Sequence, residues 1–233
     1  FDEMAERIEG LITSQQRLNR DISHELRSPL ARLNVALELA RAKSGPESHS
    51  LLNRIESEST RLNEMIGRLL QLSQLESGAE VADKRRIDLA ELVKDVAADA
   101  DFEAKGVDKV VQSGDIEKCS VNGNEELLRS AIENVLRNAV RYTAERTAVE
   151  VSLTRQNGHA IVTVADHGGG VPENELKNLF RPFYRVGEDR TRSTGGTGLG
   201  LAIAERAIKA HKGKISAVNF NGGLKVEIKL DAA

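Results

Sequence analysis

Ser23-His24-Glu25-Leu26-Arg27-Ser28-Pro29-Leu30 sets one histidine on a run whose leucines return at helical spacing. At about 100° per residue, Leu11, Leu18, Ile22, Leu26, Leu30, Leu33 and Leu37 fall within an arc of about 120°, and His24 lies about 180° from its centre. Ser28 and Arg20 fall within about 40° of His24, and Glu25 sits at the edge between the two faces. The histidine therefore stands outside the apolar stripe and has no metal-ligand partner at helical spacing, which is where a nucleophile that meets outside reagents would sit. A solvent-facing histidine by itself is ordinary.

The helical pattern extends in both directions from this run. Met4 and Ile8 continue it toward Phe1, and Ser44-Gly45-Pro46 interrupts it. Leu51, Ile55, Leu62, Met65, Ile66, Leu69, Leu72 and Leu75 then repeat it with Ser, Glu and Arg on the other face. Two long amphipathic helices and a short loop make an αα-hairpin. A single hairpin gives each helix one partner and leaves apolar surface uncovered. The sequence therefore predicts a homodimer that closes a four-helix bundle, with a monomeric hairpin packed on a second domain as the alternative. The chain begins with Phe1 inside this pattern and without an initiator methionine, which reads as a piece of a longer protein.

The 233 residues suffice for one large or two modest domains. A hydrophobic share of 39% beside 30% charged residues is ordinary for a globular protein. The net charge of −3, with 33 Lys+Arg against 36 Asp+Glu, argues against nucleic acid as a partner. Cys119 is the single cysteine, so no internal disulfide forms and a reducing compartment suits the chain; the residue reads as a small side chain in a strand. No stretch approaches the roughly 18 apolar residues that would span a bilayer.

After a short polar stretch, Gly78 to Arg86, the pattern changes to alternating helices and strands. Helices are predicted over Leu89 to Ala104, over Glu125 to Tyr142 entered through Asn124, and over Leu199 to His211. Strands are predicted over Val107 to Gln112, over Val149 to Thr154 and Ala160 to Ala165 around Gln156-Asn157-Gly158-His159, and over Lys214 to Asn219 and Lys225 to Leu230 around Asn221-Gly222-Gly223. Helices with mostly antiparallel strands imply an α+β sandwich.

Three clusters in this region carry chemistry. Asn134, Asn138 and Arg141 share one helix face, and neutral oxygen ligands beside a cation suit a magnesium-bound polyphosphate. Asp166-His167-Gly168-Gly169-Gly170-Val171-Pro172 ends an apolar strand, where a carboxylate accepts a purine amine and glycines admit a flat base. Gly195-Gly196-Thr197-Gly198-Leu199-Gly200-Leu201 runs into a helix and makes an anion site from backbone N–H groups, without the Lys-Ser/Thr of a Walker loop. Between them, Arg181 to Thr194 reads as a lid entered through Phe180, Phe183 and Tyr184.

In order and spacing these runs resemble the boxes of sensor histidine kinases: Ser23 to Leu30 the H box, Asn134 to Tyr142 the N box, Asp166 to Gly170 and Gly195 to Leu201 the glycine boxes, Phe180 to Tyr184 the F box. The resemblance spans essentially the whole chain. It implies a multidomain protein: residues 1–12 as the end of a HAMP signalling helix, 13–77 as an all-α dimerisation and phosphotransfer hairpin, 78–86 as a linker, and 87–233 as an ATP-binding α+β domain of the GHKL type. It implies ATP and Mg²⁺, with Asp166 reading the adenine amino group, Asn138 binding the metal, and Asn134 and Arg141 holding phosphates. Tyr142, Gly168, Gly170, Thr197 and Leu199 would line the nucleotide. Gly196, Gly198 and Gly200 would shape the lid hinge and phosphate turn, and Arg185 is a further phosphate candidate.

His24 would be the phosphoacceptor. Glu25 would take the proton of its other ring nitrogen. The resemblance points to Nε2 as the attacking atom, which the residues alone do not choose. Ser28, four residues on, stands where relatives orient a water for dephosphorylating their regulator, so phosphatase activity is expected as well. Pro29 should bend the helix. The implied partners are a second copy and the receiver domain of a response regulator. The implied location is the cytoplasm for this piece and a bacterial inner membrane for the full-length protein, attached through a part N-terminal to it.

The nucleotide clusters alone also fit a mechanical GHKL ATPase, a serine kinase of the anti-sigma type or an ATP-sensing scaffold; the histidine on a dimer helix is what sets these apart. His49, His159, His167 and His211 show no ligand spacing and read as structural or solvated, with His167 the nearest to an exception through its place beside Asp166.

Overall fold

The fold is that of a computed structural model, which describes residues 30–31, 33–41, 45, 49–76, 83–186 and 197–233. The chain divides into two compact units, 1–78 and 79–233.

In the first unit residues 30–41 form helix α1, residue 32 aside, and α2 spans His49–Glu76. Gly45 of the expected breaker lies outside both helices. Polar contacts join the pair: Arg41 donates to Asn53 and, at 2.7 Å, to Glu56, and the buried Ser59 hydroxyl donates to Asn34 Oδ1 at 2.6 Å. Leu33, Leu39, Leu51, Ile55, Leu62 and Leu69 remain exposed. The stripe before Leu30, with His24, Glu25, Ser28 and the expected bend at Pro29, lies outside the described residues.

In the second unit β1 (Arg85–Asp88) pairs antiparallel with β3 (Ser120–Gly123). Asp88 then caps helix α3 (Leu89–Lys105), its carboxylate accepting Ala90 N–H and Glu91 N–H at 3.0 and 3.2 Å. Strand β2 (Val110–Ile116) leads through β3 to α4 (Glu125–Tyr142), which opens on the expected cap, Asn124, bonded to Leu127 N–H at 3.0 Å. The hairpin β4 (Ala148–Gln156) and β5 (His159–Ala165), a 3₁₀ turn at Leu176–Asn178, helix α5 (Gly200–Ala210) and the hairpin β6 (Lys214–Phe220) and β7 (Gly223–Asp231) complete it.

Five strands make one sheet in the order β2-β4-β5-β7-β6, with β2 parallel to β4 and the other pairs antiparallel. One face is apolar: Val149, Val151 and Leu153, Val162 and Val164, and Val226 and Ile228 alternate inward and are buried. Leu89, Val93, Leu128, Ile132, Leu136, Ile203 and Ile208 from the three helices bury the same core. This is the expected two-layer α+β sandwich.

Three local expectations need correction. The strand expected from Val107 begins at Val110, because Val107 and Lys109 both donate their N–H to Ala104 O, closing α3 through a turn with Asp108 at φ 54°. Cys119 is buried but precedes β3 rather than lying within a strand. Arg85 and Arg86, within the stretch read as linker, belong to β1; residues 77–82 of that region are not among those described.

Candidate functional site

Asp166 follows the last residue of β5 and is 4% exposed. Its Oδ1 accepts Gly168 N–H at 2.9 Å and Leu224 N–H at 3.2 Å, while its own N–H donates to Leu224 O at 2.9 Å. Both backbone donors go to one oxygen, which leaves Oδ2 to other partners. Burial pushes the carboxyl above the usual aspartate value, opposed by those two N–H bonds and by the His167 and Lys109 charges.

The loop after Asp166 lies against the end of α4. A Cβ on Gly168 would stand 2.3 Å from Tyr142 O, so only glycine admits this approach. His167 N–H donates to Thr143 Oγ1 at 3.2 Å, and Ala144 N–H donates to His167 O at 3.3 Å. On the other side the β6–β7 hairpin grips the same loop. Asn219 accepts Val171 N–H at 2.9 Å and donates to Val171 O at 2.7 Å, and Gly169 N–H donates to Gly222 O at 2.9 Å.

Helix α4 carries Asn134, Asn138 and Arg141 on one face, as its regular geometry over 18 residues requires. Asn134 Nδ2 donates to Ser130 O at 2.8 Å. Its Oδ1 lies 3.0 Å from where a Cβ on Gly200 would be, which brings the N-terminus of α5 against this face. The half-buried Asn138 side chain has no hydrogen bond among the described residues, and Arg141 is exposed. Lys109 Nζ donates to Val140 O and Arg141 O at 2.7 and 3.0 Å, which satisfies carbonyls at the end of α4.

The glycine run enters α5 through Leu199, which offers no side-chain cap to the first N–H groups of the helix, and a helix N-terminus is where an anion is favoured. Thr197 Oγ1 is buried with no hydrogen-bond partner among the described residues. Gly198 sits at φ 71°, where its Cβ would meet Phe183 Cα and C at 2.8 and 2.7 Å, and its carbonyl accepts Phe183 N–H at 2.9 Å. Phe183, near the start of the expected lid, and Gly198, beyond its end, thereby meet as a stem. Partial desolvation and a hydrogen bond to Glu175 push the Tyr184 phenol above its usual value. Arg185 is half-buried beside that stem; Gly196 and residues 187–195 are outside the described set.

Two family models match the chain: "His Kinase A (phospho-acceptor) domain" over residues 14–78, and "Histidine kinase-, DNA gyrase B-, and HSP90-like ATPase" over residues 123–233. Sensor histidine kinase CpxA of Escherichia coli K12 is 40% identical over 232 residues, 99% of this chain and 50% of its own length. The chain belongs to the sensor histidine kinase family.

Further likenesses agree. Sensor histidine kinase RppB of Synechocystis is 36% identical over 89% of this chain and 47% of its own length. The crystal structure of full-length ShkA in complex with AMPPNP shares the fold at a TM-score of 0.79 and 24% identity, over 93% of this chain and 46% of that one. The chain thus spans about half the length of the curated relatives it matches. No helix among its described residues is long and apolar enough to cross a membrane.

In the second unit the structure places Gly168 against Tyr142 and Asp166, Gly200 against Asn134 on the same helix α4, Gly170 against Asn219, and Gly198 against Phe183. It adds three residues that the sequence reading passed over: Thr143, Lys109 and Asn219. Each stabilises a backbone turn through a partner 24 to 48 residues away, so no local spacing marks it.

Proposed function

We propose that this chain moves the γ-phosphoryl group of ATP onto a ring nitrogen of His24, and that phosphohistidine then passes the group to an aspartate on a response regulator's receiver domain. The observation that carries this reading is the buried Asp166 facing a glycine-lined approach, beside a helix face of Asn134, Asn138 and Arg141 and the uncapped start of α5. A nucleotide fits that donor set. Asp166 Oδ2 accepts the adenine amino group, and Gly168 and Gly170 with Tyr142 leave the base its space. The orphaned Thr197 hydroxyl and the N–H groups beyond Leu199 and Gly200 face the phosphates, joined by Asn134, Arg141 and Arg185.

Among the described residues no three His, Cys, Asp or Glu side chains gather to hold a metal. Mg²⁺ would be held jointly by the Asn138 amide oxygen and phosphate oxygens, where it supplies charge neutralisation. The transfer itself requires positioning. The unprotonated nitrogen of His24 attacks the γ-phosphorus, the bond to the β-phosphate oxygen breaks, and ADP leaves with the electron pair. Glu25 accepts the proton of the other ring nitrogen. Ser28 orients a water in the reverse task, dephosphorylating the regulator. The segment Arg181 to Thr194, with Gly196 and Gly198 at its hinge, closes over the bound nucleotide.

The corresponding organisation is 1–12 as a signalling helix end, 13–77 as the phosphotransfer hairpin, 78–86 as a linker and 87–233 as the catalytic domain. A second copy covers the exposed leucines of the hairpin. Because ATP is the phosphoryl donor, this portion works on the cytoplasmic side, within a full-length protein of the bacterial inner membrane.

The test is incubation of the purified chain with γ-labelled ATP and Mg²⁺ beside His24→Ala. Label that survives alkali, is lost in acid and is absent from His24→Ala is expected. Nucleotide binding with no label on either protein would replace this reading with an ATPase or a scaffold.

A further inference from the structure

Thr143 follows the last residue of α4 and is 3% exposed. Its N–H continues the helix by donating to Ala139 O at 2.8 Å. Its hydroxyl lies 2.8 Å from Thr147 Oγ1 and accepts His167 N–H at 3.2 Å. Thr147 Oγ1 in turn donates to Ala144 O at 2.7 Å. A hydroxyl has one proton, and that of Thr147 is committed to Ala144 O, so Thr143 donates to Thr147. The chain therefore runs in one direction, from His167 N–H through Thr143 and Thr147 to Ala144 O. Ala144 N–H closes a ring by donating to His167 O at 3.3 Å.

This ring joins the residue next to Asp166 to the end of the helix that carries Asn134 and Asn138. On the reading that ATP binds here, the base meets Asp166 and the phosphates meet α4, so the distance between the two must match one nucleotide. We propose that Thr143 is a positioning residue that sets the adenine preference of the site by holding Asp166 at a fixed place relative to α4.

Without the hydroxyl, His167 N–H loses its partner in a half-buried setting and the loop turns toward water, carrying the Asp166 carboxylate with it. Guanine has a carbonyl where adenine has its amino group, so in the same pose it offers no N–H to Asp166 at that position, and GDP affinity depends on the place of this carboxylate much less than ADP affinity does.

The experiment is calorimetric titration of the full chain with Mg-ADP and with Mg-GDP, in wild type, Thr143→Val, Thr143→Ser and Thr147→Val. Thr143→Val keeps the β-branched shape and should weaken ADP about tenfold and GDP much less, so that the ADP:GDP preference narrows. Thr143→Ser restores the hydroxyl and should lie within about twofold of wild type. Thr147→Val removes the acceptor of the Thr143 proton together with the donor to Ala144 O, leaves the Thr143 hydroxyl to accept His167 N–H, and should narrow the ADP:GDP preference about threefold, which keeps the test open if Thr143→Val does not fold. A merely structural Thr143 would lower the melting temperature and leave the ratio of the two affinities alone. A wild-type ADP:GDP ratio in the folded variants overturns the inference, whereas wild-type protein that binds neither nucleotide overturns the ATP-site reading beneath it.

Discussion

His211 shows how a titratable side chain in the nucleotide-binding unit is held in one protonation state. Nδ1 lies 2.7 Å from Ala207 O and Nε2 accepts Asn124 N–H at 3.0 Å. The nitrogen facing a carbonyl must carry the proton and the one facing N–H must lack it, so the ring is the neutral Nδ1–H tautomer. Burial holds its pKa below the usual histidine value, against the pull of the Ala207 carbonyl and with a smaller push from Lys84. The folded state thus takes up this proton less readily than the unfolded chain. The associated stability is complete above the ordinary value, about 6.5, and is lost as pH falls from there to the lowered one. Thermal melts should show the transition of this unit falling between about pH 7.5 and about pH 5.5. In His211→Gln the melt should be lower at the upper pH, by about 2–4 °C for each kcal/mol of hydrogen bonding lost, and should change less with acid. Parallel acid losses in both proteins would place the sensitivity elsewhere. At this scale the sequence displayed residues whose proposed roles come from a local motif: Asp166 before three glycines, and Asn134 with Asn138 at one helical turn. It concealed Thr143, because a threonine after Tyr142 looks like any helix end until His167 arrives 24 residues later.

Elements were legible in proportion to the number of periods they contain. Helix α4 was predicted to the residue, because 18 amphipathic residues follow a capping asparagine. Strands β1 and β3 have four residues each, too few for alternation to stand out, and Arg85-Arg86 passes for linker. The β-branched Val107 suggests a strand, but the turn that ends α3 takes it first. In the proposed nucleotide site, the contact between Phe183 and Gly198 shapes the entry to the phosphate end. Gly198 needs both a positive φ and contact with the Phe183 backbone, so Gly198→Ala pays a strain of about 1–3 kcal/mol or opens the stem. ATP affinity of the full chain should fall about tenfold with its circular dichroism unchanged. Wild-type affinity in that variant would show that the stem does not shape the phosphate site.

The two units meet water very differently. In the second, Leu89, Leu128, Ile132, Leu136 and Ile203 are at most 1% exposed, so its core closes within one chain. In the first, Leu51 is 65% exposed, Leu39 58% and Leu62 49%, with Ile55 between Leu51 and Leu62 on α2. Burying a leucine or isoleucine side chain fully is worth about 1.5–3 kcal/mol, so a row of them in water is a strong drive toward association. A second copy offers the same row to the first, the self-complementary contact that a two-fold axis demands, and four helices then enclose what two leave open. Charges placed on that row must be desolvated if the copies meet there. Ile55→Lys with Leu62→Lys should therefore convert a dimer to a monomer in sedimentation equilibrium, with ADP binding intact because the nucleotide-binding unit closes its own core. A dimer that survives both lysines would put the contact on another surface, and a monomeric wild-type chain would remove the bundle altogether.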